Sequence, residues 1–514
     1  MLPSWRRLAF ALTVPALLAT ACATEVEETD SSSDEINYRS TAGQEFTLST
    51  TVRFAAPAAA QDLEGEAREL AVVARAEALR TTVTSAISAE LDRIWPEAQR
   101  LTRAGLVIQF RQASATYSDL KASEDGARYE MVVSGEFAGV NDLEQKLPLR
   151  IEDGKKFVPV TASVDGESEQ LEISLTPVER SRNAYPKYLE LFEGGLDIAV
   201  HVGGDHHDPP QDIEHARSIY DDLVASGFRS PVRSFAELAI DSPPFTSRIN
   251  VKGESVDVRV RLFHVDMTTS EMRQPLIDAY KESMKSADVV IYDGHAGRSL
   301  DYSGVVFAYK PARVAIPAGK FKDIESNGKQ QVYLFNGCET YTGYADKLYE
   351  NPARNPANTD IITTGNYSAI QRKANQVISF IHSFIDQRSG TWVPRSWDSV
   401  LSRMNAVGER SWVHVYGVHG IDDNPKVSPL ADVSKVGVAC RSNADCGSAD
   451  SRCIAVSSNR RVCCLRRFRR LPERNSLHAA SRSELARRDA VRAAVITTKR
   501  TACSATLEVA SART

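Results

Sequence analysis

Residues 288–297 read DVVIYDGHAG and residues 331–341 read QVYLFNGCETY, two apolar runs that each end in glycine and a reactive side chain. Val289 to Tyr292 and Val332 to Phe335 are continuous, rich in β-branched and aromatic residues, and bounded by Gly294, Gly297 and Gly337. Runs of that kind suit strands buried on both faces of a parallel sheet. In an open α/β sheet, chemistry gathers at the carboxyl ends of the strands. His295 at one such end and Cys338 at another therefore make a candidate Cys–His dyad.

Around these two runs the chain alternates strand and helix. LDIAVHVGG from Leu196 is expected as a strand ending in a glycine pair, and Ile213 to Ser226 as an amphipathic helix capped by Gly227. RINVKGESVDVRVRLFHV is expected as a hairpin turning at Lys252-Gly253-Glu254, and Glu271 to Ala287 as the helix leading into DVVIYDGHAG. Beyond Cys338 a helix is expected near Tyr341, then TDIITTG as a strand, helical stripes over Arg372–Gln387 and in WDSVLSRM, and WVHVYGV as the closing strand. This rhythm predicts a mostly parallel, layered α/β domain over residues 190–430.

Before it, residues 44–180 predict a smaller α+β domain. Gln61 to Arg103 has helical composition, with Pro96 as a break point, and FTLSTTVRFA, GLVIQFRQASATY, ARYEMVVSGEFAG, KFVPVTASV and QLEISLTPV have strand patterns. Turns are expected at Glu124-Asp125-Gly126, Asp153-Gly154 and Asp165-Gly166.

The ends of the chain carry different signals. Residues 1–21 have a short basic start (Arg6, Arg7), an apolar stretch from Leu8 to Leu18 and small residues before Cys22. That layout is a secretory signal, and it resembles a bacterial lipoprotein cleavage box, which implies cleavage before Cys22, lipid on Cys22 and an envelope-anchored, exported protein. Residues 22–43 are acidic and Ser/Thr-rich and are expected to be a disordered tether. Cys440, Cys446, Cys453, Cys463 and Cys464 crowd into residues 438–464, which in an exported chain predicts a small disulfide segment; Cys503 is a further partner for an odd count. Residues 465–514 form a basic tail, expected to be disordered.

At 514 residues the chain has room for two or three domains, and 42% hydrophobic and 25% charged residues are those of a globular protein. A net charge of −5 is small for this length and implies no nucleic-acid partner. Neither a phosphate-binding glycine motif nor a GxSxG elbow is present, which removes nucleotide and serine-hydrolase sites from consideration.

Strand-His-Gly followed by strand-Gly-Cys resembles the caspase-like cysteine peptidases, the group that includes caspases, gingipains, clostripain, legumains and separases. YDGHAG is similar to their His block and FNGCETY to their Cys block, His295 precedes Cys338 by 43 residues, and the likeness spans Leu196 to Pro429. Here Ala296 stands between the His and Gly297, where the family usually has Gly directly. The resemblance implies a caspase-like sheet flanked by helices and hydrolysis of peptide bonds in a protein or peptide substrate. Cys338 would be the nucleophile and His295 the base and acid, with backbone N–H groups of Cys338 and of Ala296 or Gly297 holding the oxyanion and no cofactor required.

Two other functions stay open. One is the same fold without catalysis, acting as a binding or scaffold lipoprotein. The other is a metal-dependent hydrolase centred on His206 and His207, because HVGGDHHD (201–208), with His215 beyond it, is rich in metal-ligating types. His419 also follows a strand and is a second candidate base, against the family's order.

Overall fold

A computed structural model describes residues 38–60, 63–94, 108–141, 145, 147–178, 184–207, 210–269, 272–296, 304–366, 368, 373–407, 414–431, 442, 451–457 and 460–465. Cys22, Gly297, Cys440, Cys446 and Cys503 lie outside these residues, as do the expected signal segment and the basic tail beyond Leu465.

The chain enters with β1 (Arg39–Ser40) and β2 (Gly43–Ala55), followed by the helix α1 (Gly65–Ile94). Strands β3 (Ile108–Ala122), β4 (Arg128–Val140), β5 (Arg150–Glu152), β6 (Lys155–Val164) and β7 (Glu167–Pro177) come next. Five of these join β2 in an antiparallel sheet of order β3-β4-β2-β7-β6-β5. Asp153-Gly154 and Asp165-Gly166 hold positive φ at both positions, the geometry that two-residue hairpins require and that Asp-Gly supplies at low cost. Alternate residues of β6 (Val158, Val160, Ala162, Val164) face inward and meet a single stripe of α1. That stripe is Val72, Ala76, Leu79, Val83, Ile87 and Leu91, spaced three and four apart, so one helix face covers one sheet face.

The second body begins with α2 (Tyr188–Leu191), β8 (Leu196–Val202), α3 (Asp212–Ala225), β9 (Phe245–Val251) and β10 (Glu254–Phe263). It continues through α4 (Gln274–Ser286), β11 (Val289–Asp293), a small hairpin β12 (Val305–Ala308) and β13 (Val314–Ile316), and β14 (Gln331–Asn336). Then come α5 (Tyr344–Tyr349), β15 (Thr359–Thr364), α6 (Lys373–Ile385), a short hairpin of β16 (Gln387–Arg388) and β17 (Thr391–Trp392), α7 (Trp397–Ala406) and β18 (Tyr416–His419).

Eight strands form one sheet of order β1-β18-β15-β14-β11-β8-β10-β9. Its centre, β15-β14-β11-β8-β10, is parallel throughout; β9 and β18 run against it at the two sides, and β1, antiparallel to β18, takes the direction of the centre again. Successive residues of a strand point to opposite faces. Ile198, Val200 and Val202 of β8, with Val289, Ile291, Val332 and Leu334, therefore build one core with α3, α6 and α7. Ala199, Val290, Tyr292, Tyr333 and Phe335 build the other with α4 and α5. The layered, mostly parallel α/β architecture expected over residues 190–430 is thus present.

Three expectations need correction. The tether was expected to run to residue 43, yet Tyr38 to Ser40 are part of the fold: β1 pairs with β18, Tyr38 is 2% exposed, and its hydroxyl donates to the Val415 carbonyl at 2.8 Å. Composition alone hides this, because the partner lies about 377 residues away. The helix expected from Gln61 to Arg103 spans Gly65–Ile94, and residues 95–107 fall outside the described set. The helix expected near Tyr341 begins at Tyr344, after a 3₁₀ turn at Thr340–Thr342.

The two bodies have separate cores but belong to one compact unit, and charge is buried where they meet. Arg111 of β3 lies 2.8 Å from Glu136 of β4 and 3.4 Å from Asp346 of α5. Glu45 of β2 accepts hydrogen bonds from the Tyr38 N–H and, at 2.8 Å, from the Tyr341 hydroxyl. Farther on, β19 (Ser451–Ser457) and β20 (Arg460–Leu465) form a two-stranded ribbon with Cys453 opposite Cys463. Both of these sulfurs are disulfide-bonded; the side chain of Cys464 is outside the described set. Among the described residues, no helix is long and apolar enough to cross a membrane.

Candidate active site

β11 and β14 are adjacent and parallel, in register from Val289 opposite Val332 to Asp293 opposite Asn336. His295 and Cys338 each stand two residues beyond that last pair, so the sheet delivers both to the same edge. The two loops touch. A Cβ on Gly337 would lie 2.4 Å from the Ala296 Cβ and 3.1 Å from the Gly294 carbonyl oxygen, so only glycine admits Ala296 there. Beneath them the Asn336 side-chain amide donates to Asp293 Oδ1 at 2.9 Å, the Gly294 N–H donates to the Asn336 carbonyl at 3.3 Å, and the Tyr416 hydroxyl donates to Asn336 Oδ1.

The Cys338 turn is held tightly against β15. Ser368 Oγ donates to the Gly337 carbonyl at 2.9 Å, Thr364 Oγ1 donates to the same oxygen, and Thr340 Oγ1 accepts from the Thr364 N–H at 2.9 Å. Glu339, directly after Cys338, has φ +53°, a left-handed conformation that costs a non-glycine residue and persists only where the surroundings enforce it. Its N–H donates to the Asn366 carbonyl at 2.9 Å, which helps enforce it. Cys338 is half-buried, stays outside any disulfide, and has its Sγ 4.0 Å from the Ser368 carbonyl oxygen.

The third participant comes from the loop after β8, which is parallel to β11 and ends at the same edge. Asp205 Oδ1 lies 3.0 Å from His295 Nε2 and 2.5 Å from His207 Nδ1. The same oxygen accepts the His207 backbone N–H at 3.0 Å, and Oδ2 accepts the Gln211 N–H at 2.7 Å. Burial by itself would raise the Asp205 carboxyl. The backbone N–H of His207, the His295 ring, the Gln211 N–H and the His207 ring outweigh it and hold the group well below the usual carboxylate range. Asp205 is therefore anionic at neutral pH, and an anion at this place requires the facing His295 nitrogen to carry a proton.

The histidines of the 201–215 region separate. His206 and His207 join Asp205 and His295, and the ligand atoms of these four residues all lie within 4.8 Å of one another. His201 points to the other face of β8, 3.0 Å from Ser283 Oγ and stacked on Phe263, and burial pushes its pKa down to about 3, so it is a neutral core histidine. His215 is buried on α3 against Asp293 at 3.3 Å and Asp212 at 3.7 Å, away from the cluster. Asp208 lies outside the described residues. His419 does not reach the site either. β18 is antiparallel, so its carboxyl end lies beside the start of β15, where His419 pairs with Ile361 and meets Thr363 Oγ1 at 3.0 Å.

Of the expected oxyanion donors, Ala296 packs on Gly337 between the two loops, while Gly297 is outside the described residues. Asp205 was not singled out from sequence as a partner of His295. The signal available for it was the Gly203-Gly204 break after β8, which places the following residues at the same sheet edge. The chain matches no family model, no curated protein and no solved structure.

Proposed function

We propose that this protein is a cysteine peptidase of caspase-like layout, exported and lipid-anchored through Cys22, that cleaves peptide bonds with Cys338 and His295 oriented by Asp205. The observation that carries the reading is the equal placement of His295 and Cys338, two residues past paired positions on adjacent parallel strands, with Asp205 on Nε2 of His295. With Nε2–H donated to Asp205, Nδ1 keeps the lone pair that takes the thiol proton. The Cys338 thiolate attacks the scissile carbonyl, and the backbone N–H groups of Cys338 and of Ala296 or Gly297 stabilise the oxyanion. His295 then passes its proton to the leaving amine, and water, deprotonated by His295, cleaves the thioester. Asp205 stays ionised throughout and stabilises the imidazolium.

The test is the pH dependence of Cys338 alkylation in the folded full-length protein, mapped by peptide and compared with His295→Ala. A dyad gives fast labelling at and below neutral pH that slows when His295 is lost. Labelling only after unfolding, or labelling indifferent to His295, overturns the peptidase reading and leaves a binding or scaffold protein of the same fold. The metal-dependent hydrolase reading has its own support in the cluster at Asp205, and it predicts an activity that chelators abolish and Cys338→Ser leaves standing.

A further inference from the structure

We propose that Asp205, His206, His207 and His295 form a transition-metal site that takes Zn2+, and that the bound ion switches off Cys338 by capturing its base. The site stands on geometry alone; the switch rests on the peptidase reading above.

Three imidazoles converge on one carboxylate oxygen. Asp205 Oδ1 has His207 Nδ1 at 2.5 Å, His295 Nε2 at 3.0 Å and His206 Nδ1 at 3.8 Å. Ring centroids are 4.3 Å apart for His206 and His207, 4.6 Å for His206 and His295, and 5.8 Å for His207 and His295. Zinc bonds of 2.0–2.1 Å place tetrahedral donors roughly 3.3 Å from one another. The four ligand atoms are already within 4.8 Å, so small torsions of the accessible His206 and His207 bring them onto one ion.

The surroundings fix the donors. The β12 strand closes on the loop after β8 so tightly that a Cβ on Gly203 would lie 2.8 Å from the Val306 carbonyl oxygen, and one on Gly204 2.8 Å from Ala308. Backbone N–H groups of His207 and Gln211 hold the Asp205 carboxylate in place, an outer-shell support of the kind metal ligands carry. Tyr309 sets its ring edge-on to His206 and His295, at 5.5 Å from each, and walls one side. The His206 and His207 side chains are 54% and 38% exposed, while the Asp205 side chain is fully covered. Nitrogen donors with one carboxylate suit Zn2+, and Ni2+ or Cu2+ in competition, over Mg2+ or Ca2+, which take oxygen shells.

Capture of His295 follows from its tautomers. A neutral imidazole has one N–H and one lone pair. Without metal, Nε2 carries the proton toward Asp205 and Nδ1 has the lone pair that serves Cys338. Metal on Nε2 takes the ring's one lone pair at that nitrogen, so the proton sits on Nδ1 and the base is lost.

The probe is Zn2+ itself, titrated calorimetrically into full-length wild type, Cys338→Ser and His206→Ala/His207→Ala. Wild type and Cys338→Ser are expected to bind one ion with equal affinity. The double variant loses two ligands, and its affinity should fall by at least about 100-fold, the upper effect of losing a mere outer-shell partner. Zn2+ should also slow Cys338 alkylation at pH 7, by up to roughly 30-fold if the thiol returns from full ionisation to an ordinary pKa near 8.5. Excess chelator should restore the rate, and in the double variant the ratio of rates with and without Zn2+ should be one. Failure of Zn2+ to bind, binding that survives the double substitution, or binding that disappears in Cys338→Ser overturns the site, the last two by placing the ion elsewhere. A filled site with unchanged alkylation overturns the switch. A thiol unreactive even without Zn2+ sinks the switch together with the peptidase reading, while calorimetry on Cys338→Ser still decides the site.

Discussion

Glu45→Gln tests the buried charge between the two bodies, and its effect has a sign that opposes intuition about buried carboxylates with a nearby arginine. Burial and then Glu136 raise the Glu45 carboxyl; Arg111, the Tyr38 N–H and the Tyr341 hydroxyl pull it down without cancelling them, and it is pushed up to about 8. The folded protein therefore holds a proton on Glu45 at pH 7 that the unfolded chain, with an ordinary value of 4.5, has released. A group raised in the folded state contributes stability that is fully present below its ordinary value. That stability is lost as pH rises through the folded one. The window from 4.5 to about 8 corresponds, at about 1.36 kcal/mol per pH unit, to roughly 4–5 kcal/mol. Glutamine imitates the protonated form: its oxygen accepts from the Tyr38 N–H and its NH2 donates to the Tyr341 hydroxyl. Urea unfolding followed by fluorescence of the buried Trp392 and Trp397, at intervals from pH 4.5 to 8.5, reads the effect. Titrations shared by both proteins cancel in the difference, which should grow in favour of Glu45→Gln by a few kcal/mol, nearly all of it between pH 5 and 8. Parallel curves would instead make Glu45 a folded-state anion paired with Arg111.

Arg111→Met removes the guanidinium that pairs with Glu136 and Asp346, and breaking a buried pair of this kind should cost about 3–5 kcal/mol in urea midpoint measurements at pH 7. Gly337→Ala drives a methyl into Ala296 and should cost about 1–3 kcal/mol and uncouple Cys338 alkylation from His295; adding Ala296→Gly should restore both. Asp205→Asn should lower the urea midpoint at pH 7, because the carboxylate that the His207 and Gln211 N–H groups and the two imidazoles favour is lost, and should reduce kcat on a peptide substrate by about 10²-fold or more, with KM held, because the His295 tautomer is no longer fixed. Tyr416→Phe takes the donor from buried Asn336 Oδ1 and should cost about 1–3 kcal/mol in the same unfolding assay.

Local pattern was enough for much of the frame. The apolar runs at 196–202, 289–293, 331–336 and 359–364 are strands because both faces of each are covered, which leaves no polar alternation to confuse the reading. The Asp153-Gly154, Asp165-Gly166 and Lys252-Gly253 turns were legible because positive φ at consecutive positions leaves few residue types to choose from. The helical stripes of α3, α4, α6 and α7 were legible to within a few residues, their ends less so.

That His295 and Cys338 follow buried strands is legible in the chain itself, since residue type and spacing fix local conformation. That β8, β11 and β14 are neighbours, and hence that Asp205 meets His295 from 90 residues away, emerges only from the folded arrangement. It alone decided that Tyr38 to Ser40 complete the sheet beside β18, that His201 is core while His206 and His207 join the site, and that Glu45, Arg111 and Asp346 share one buried cluster. Each of these contacts depends on strand order and on which face a side chain takes. Those are set by the collective burial of two helical layers against one sheet, and no local run of residues encodes them.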